Sequence, residues 1–197
     1  APMGVLLTTD GSRLTFTTIA MNDTTVTFDS PTFGAGLELP RDKIVAIELT
    51  PSKLVHLSDL TPSEATVEGL LLDAIDYRTD RSLDGGPITL DRVAYDKGLA
   101  LHSRTVLTWD LGGEYEAFVA VVGIDDAVRP GGSATLEVLC DGDVIQTLNL
   151  TGQDDAQMVR CNLTDVETFT IRVDYGLDVL ESGDHVDLAM ARLIRSP

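Results

Sequence analysis

Aromatic residues are scarce in this 197-residue chain: they make up 5% of it, with a single Trp, four Tyr and five Phe. A protein that recognises its ligand by stacking has few side chains to do it with. Cysteine and histidine are equally thin, at two and three. Cys140 and Cys161 form no CxxC pair, and His56, His102 and His185 are scattered, so a zinc site has no sequence support. No apolar run approaches the ~20 residues of a membrane span. The opening APMGVLLTTDG has neither a charged n-region nor a full h-region, so no signal peptide is expected in it. G-x-S-x-G, HExxH, P-loop and GxGxxG motifs are missing, and no serine stands in a strained turn to act as a nucleophile. The chain is read as having no catalytic residues.

Basic residues are scarce too. Lys and Arg total 14 against 32 Asp and Glu, a formal net charge of −18. Such a field repels nucleic acid and anionic membranes, both of which need a basic face. It tolerates neutral sugars, cations and basic partners, and it favours solubility. Residues 1–52 hold six of the acids and three of the bases, so the acidity belongs to the remainder.

What is present reads as strand. Alternating, β-branched runs are punctuated by Gly and Asp turns. Val5–Thr8, Leu14–Ala20, Thr25–Phe28, Leu37–Leu39 and Ile44–Leu49 give five short strands in about fifty residues, which fits a small closed barrel of the SH3 or Sm kind. Pro51–Ser52 is the seam, dividing residues 1–52 from 53–197. Ser63–Leu72 is the best candidate for a short helix, with Ser63 as N-cap. From Ile88 onward strands recur about every ten residues, the pattern expected of a jelly-roll β-sandwich. Asp141–Gly142 reads as a type I′ hairpin turn. Trp109 alternates with Leu107 and Leu111, which places it in the core rather than on a sugar platform.

Ordered fragments of the second segment carry a family resemblance. LSDL at Leu57–Leu60, DGGPITL at Asp84–Leu90, YDKGLALHS at Tyr95–Ser103 and LTWDLGG at Leu107–Gly113 come first. FVAVVGIDD at Phe118–Asp126, GGSATLEVLCDG at Gly131–Gly142 and DHVDLAMARL at Asp184–Leu193 follow. Together these resemble the NPCBM family of carbohydrate-binding modules. The resemblance implies a jelly-roll β-sandwich and a glycan or polysaccharide partner. It also implies a place in a larger exported bacterial protein, secreted, periplasmic or at the cell surface. Such modules tend to carry a Trp where this chain has Leu188, so a sugar site here would rest on polar groups. Arg78, Asp80, His102 and Asp126 are the expected sugar contacts, although His102 is equally a structural inter-strand residue. Tyr77, Tyr95, Tyr115 and Tyr175 are the remaining aromatic candidates. Asp125 or Asp126 is also placed to cap the turn that follows its strand. Carboxylates cluster at Asp174, Asp178, Glu181, Asp184 and Asp187. Loop carboxylates of this kind can hold Ca²⁺, and Asp184 and Asp187 are the expected ligands of a structural calcium. The alternative to a sugar binder is a structural or protein-interaction module on the same scaffold.

Overall fold

The structure, a computed structural model, describes residues 3–49, 54–69, 74–176, 178 and 182–196. The chain divides into two compact units, Ala1–Lys53 and Leu54–Ser196.

In the first unit β1 (Gly4–Thr8), β2 (Arg13–Phe16) and β6 (Ile44–Leu49) form one antiparallel sheet in the order β2-β1-β6. A second sheet orders β3 (Thr18–Met21), β4 (Thr25–Ser30) and β5 (Gly34–Pro40) as β3-β4-β5. The expected single strand Leu14–Ala20 is broken at Thr17, so its two halves serve different sheets. Alternation gives each sheet one apolar face. Leu6, Phe16 and Phe28 form the buried centre, with Leu14, Ile19, Leu37, Leu39, Ile44 and Ile47 packed around them.

The second unit is a β-sandwich. Its strands are β7 (Leu54–His56), β8 (Glu64–Val67), β9 (Arg78–Thr79), β10 (Ile88–Leu90), β11 (Val93–Tyr95), β12 (Gly98–Leu101) and β13 (Thr105–Asp110). They continue with β14 (Tyr115–Ile124), β15 (Ser133–Cys140), β16 (Asp143–Thr151), β17 (Gln157–Asn162), β18 (Thr168–Tyr175) and β19 (Val186–Arg195). One sheet runs β17-β14-β19-β12-β9, with β7 also paired to β19; the other runs β16-β15-β18-β13-β8. The expected helix at Ser63–Leu72 is instead β8, while residues 70–72 lie outside the described residues. Ser63 donates its backbone N–H to the Thr108 carbonyl, so it extends the β13 ladder rather than capping a helix.

Both sheets turn their alternate residues inward. Leu107 and Trp109 on β13, Leu136 and Val138 on β15, and Phe169 and Ile171 on β18 meet Phe118, Ala120 and Val122 on β14. Trp109 is 2% exposed, as alternation required. Leu188 is fully buried, so the position where related modules carry Trp is core in this chain. The Phe118 and Phe169 rings sit 4.8 Å apart across the sandwich, a tilted pair that adds about 1 kcal/mol beyond its buried area. On β19 the inward phase changes from Val186 and Leu188 to Ala191 and Leu193. A bulge at Met190, whose φ is 51°, makes the change, and the β14 register slips opposite it. Ala189, outward by alternation with Leu188, packs under Ile88 and Leu90 of the β10–β11 hairpin. Gly98 lies where β12 crosses β19, and a Cβ there would stand 2.6 Å from the Leu188 carbonyl oxygen.

Cys140 and Cys161 are free and buried. Burial pushes the Cys140 thiol up to about 11 and raises that of Cys161. Both should resist a disulfide reagent such as DTNB in native buffer and react only on denaturation. Rapid native labelling of either would contradict the packing described.

Candidate functional site

At one end of the sandwich the β10–β11 hairpin, the 125–131 loop and the 152–156 loop converge. The hairpin turn is Asp91–Arg92, and both residues are left-handed, with φ of 51° and 66°. Two consecutive positive φ values make the type I′ geometry that matches strand twist, but neither residue is the glycine such turns favour. Asp126 supports the strained turn. Its carboxylate accepts the backbone N–H groups of Asp91, at 3.2 Å, and Arg92, at 2.7 Å.

Arg129 fastens the three segments. Its Nη1 donates to Asp91 Oδ1 at 2.6 Å and reaches Asp126 Oδ1 at 3.4 Å. Nε donates to the Gly152 carbonyl and Nη2 to the Asp154 carbonyl, both at 2.9 Å. Asp91 Oδ2 accepts the Ala156 N–H at 2.8 Å. The Arg129 guanidinium and the Ala156 N–H hold the Asp91 carboxyl below the usual carboxylate range. The frame's donors and acceptors are directed at one another.

The frame encloses an open recess of about 520 Å³ lined by Asp91, Arg92, Asp126, Arg129 and Asp155, within the roughly 300–1,000 Å³ of small-molecule sites. Among the described residues, Arg92 and Asp155 make no side-chain hydrogen bond or ion pair. They leave a five-donor fork and a two-oxygen acceptor facing the same space.

Behind the recess lies a buried polar layer. Asp125, next to Asp126, accepts the Ala127 N–H at 2.7 Å and so caps its turn. Its other oxygen and both oxygens of Asp187 are buried without a conventional partner. The two carboxyl groups lie within hydrogen-bonding reach of each other, and burial, then Asp125, pushes Asp187 up to about 9. Two carboxylates carry no donor between them, so one proton must join this pair at neutral pH.

Three of the four expected sugar contacts do not line this recess. Asp126 alone lines the recess. Asp80 pairs with Lys97 at 2.8 Å, and Lys97 also holds Asp59, a structural clasp. Arg78 is exposed on β9, opposite Ala100 of β12. His102 is 7% exposed, edge-on to His185 with ring centroids 5.9 Å apart. Of the four tyrosines, Tyr115 is buried beneath the Arg195 guanidinium. Asp184 accepts the Ser133 N–H, and both Asp184 and Asp187 are fully buried. Among the described residues no group of three His, Cys, Asp or Glu side chains is placed to hold a metal. Glu181 lies outside the described residues.

Asp91, Arg92, Arg129 and Asp155 were not singled out from sequence. A signal existed for the first two: Leu90-Asp91-Arg92-Val93 is a two-residue connection between short alternating runs. Arg129 and Asp155 carry no local signal.

The second unit's likeness to solved structures includes the CBM51 module of a Clostridium perfringens GH95 enzyme in complex with methyl-galactose, at 27% identity and TM-score 0.64. That match covers 71% of this chain and 99% of the other. The M60 catalytic domain of Clostridium perfringens ZmpB with its two CBM51 domains matches at 26% identity and TM-score 0.67, over 91% of this chain and 19% of that one. A Renibacterium salmoninarum protein named as an endo-alpha-N-acetylgalactosaminidase is 41% identical over 64 residues, 32% of this chain; the chain spans only 4% of that protein's length. The NPCBM/NEW2 domain family matches residues 53–194, nearly three-quarters of the sequence, and this chain belongs to that family.

Proposed function

We propose that the second unit is a non-catalytic carbohydrate-binding module whose sugar site is the recess between the Asp91–Arg92 turn and Asp155. The observation that carries the site is the pair of unengaged groups, Arg92 and Asp155, on a frame whose other charges are all spent on one another. A donor fork and a carboxylate across a small recess suit the adjacent hydroxyls of a neutral sugar ring. The lining carries three acids and two arginines, which disfavours sulfated or carboxylated sugars. Because the CBM51 neighbour was solved with methyl-galactose, a terminal galactose-type residue is the first ligand to test. The full-length protein is read as an exported glycan-processing or glycan-attached protein. Its residues 1–52 are read as a small SH3- or Sm-like barrel beside the 53–197 module.

Calorimetric titration of the chain with methyl-galactoside tests the site. Arg92→Ala and Asp155→Ala should each weaken binding about tenfold or more, the cost of one or two hydrogen bonds to charged groups, while thermal melts stay unchanged. Unaltered affinity in both variants would remove the recess from the account. A failure of the wild type to bind any neutral sugar would favour the structural or interaction module instead.

A further inference from the structure

The outer face of the β16-β15-β18-β13-β8 sheet carries a second feature. The other sheet has the β10–β11 hairpin packed over Ala189. Glu137, Arg172, Val106 and Thr66 fall in one register row across β15, β18, β13 and β8. Thr135 and Asp174 are partners in the row beside it. Two open recesses of about 520 and 180 Å³ lie along these rows, and Arg172 and Asp174 line both. They merge into a trough running across the strands. Three inter-strand steps of about 4.8 Å make it roughly 14 Å long, longer than one sugar ring requires.

The lining identifies the occupant by its chemistry. Arg172 Nε donates to Glu137 Oε2 at 2.6 Å, and Arg104 pairs with Glu68. With Asp174 the trough carries two positive and three negative groups, and Val106 and Tyr175, both half-buried, are its large apolar contributions. A polyanion meets the wrong charge here, in a chain of net charge −18. A protein partner would find no aromatic cluster or aliphatic pocket for an anchor. Threonine hydroxyls, carboxylates and guanidinium groups alternating along a line offer donors and acceptors to hydroxyl-bearing rings. We propose that this trough is a second glycan-binding surface, which takes several consecutive rings of an uncharged polysaccharide chain. This inference rests on the carbohydrate-binding reading, but not on the recess being the terminal-sugar site.

Affinity electrophoresis of the full chain in gels holding galactomannan, dextran or arabinoxylan tests it, with alginate as the anionic control. The double variant Glu137→Gln/Arg172→Gln removes the central pair, which is half-buried, without a net charge change. Thr135→Ala is a milder second variant, and thermal melts confirm that both fold. The wild type should be retarded by at least one neutral gel and not by alginate. The double variant should weaken that retardation about tenfold, and Thr135→Ala severalfold, with methyl-galactoside affinity unchanged. Retardation lost in Arg92→Ala but intact in both trough variants would overturn the proposal, and so would a wild type retarded by none of the neutral gels. Failure of the recess shows separately, as methyl-galactoside binding that is indifferent to Arg92.

Discussion

Asp187→Asn should remove a fall in stability that the wild type shows as pH rises from about 4 to 9. The folded state keeps a proton on Asp187 up to about 9, whereas the unfolded chain releases it near the ordinary carboxylate value. Between those limits unfolding releases a proton, so raising the pH favours the unfolded state. The stabilisation is complete below the unfolded pKa and is lost progressively until the folded pKa is passed. The slope approaches about 1.4 kcal/mol per pH unit. Asparagine keeps a donor for Asp125 at every pH and retains one acceptor oxygen. Urea midpoints measured from pH 5 to 9 should therefore move in favour of the asparagine variant by several kcal/mol. Both proteins should still lose stability toward acid, because burial holds His185 below the usual histidine range and the unfolded chain then binds the extra proton. Asp187→Ala should be destabilised near pH 5 by about 2–4 kcal/mol, through a cavity and a stranded Asp125 oxygen, and that deficit should shrink as pH rises because alanine has no proton to release. Parallel pH profiles for wild type and Asp187→Asn would contradict the shared proton.

Arg129→Ala should damage both stability and binding. It removes three close hydrogen bonds and leaves Asp91 and Asp126 facing each other without a cation. The side chain is 21% exposed, so solvent screens part of the repulsion, and a loss of about 2–3 kcal/mol is expected. Binding should fall more than by removal of Arg92 alone, because the left-handed turn that presents Arg92 loses one of its supports. Arg129→Lys should recover little, since a single ammonium cannot span two carbonyls and two carboxylates. Native-like stability with lost binding would make Arg129 a contact residue; full binding with lost stability would detach the frame from the site.

Sequence patterning and structure agree best where burial decides. Trp109 follows period-2 alternation in both readings, and the left-handed Asp141–Gly142 pair matches the expected turn. Local propensity failed at Ser63–Val67, where pairing with β13 outweighed a helix signal. The inward phase of β19 was illegible because a bulge at Met190 resets it, and a bulge has no compositional mark. The site was harder still. Arg129 joins residues 23 to 38 positions away, a relation that only the folded chain creates. Asp125 and Asp126 were flagged together, yet they face opposite tasks: Asp125 joins the buried pair and Asp126 supports the recess.

Titration of ¹⁵N-labelled protein with methyl-galactoside, followed by amide shifts, tests the central claim most directly. The account predicts saturable shifts concentrated at Asp91, Arg92, Asp126 and Asp155, with His102 and Arg78 unmoved. Shifts centred on Arg78 and His102, or none with any neutral sugar, would contradict it.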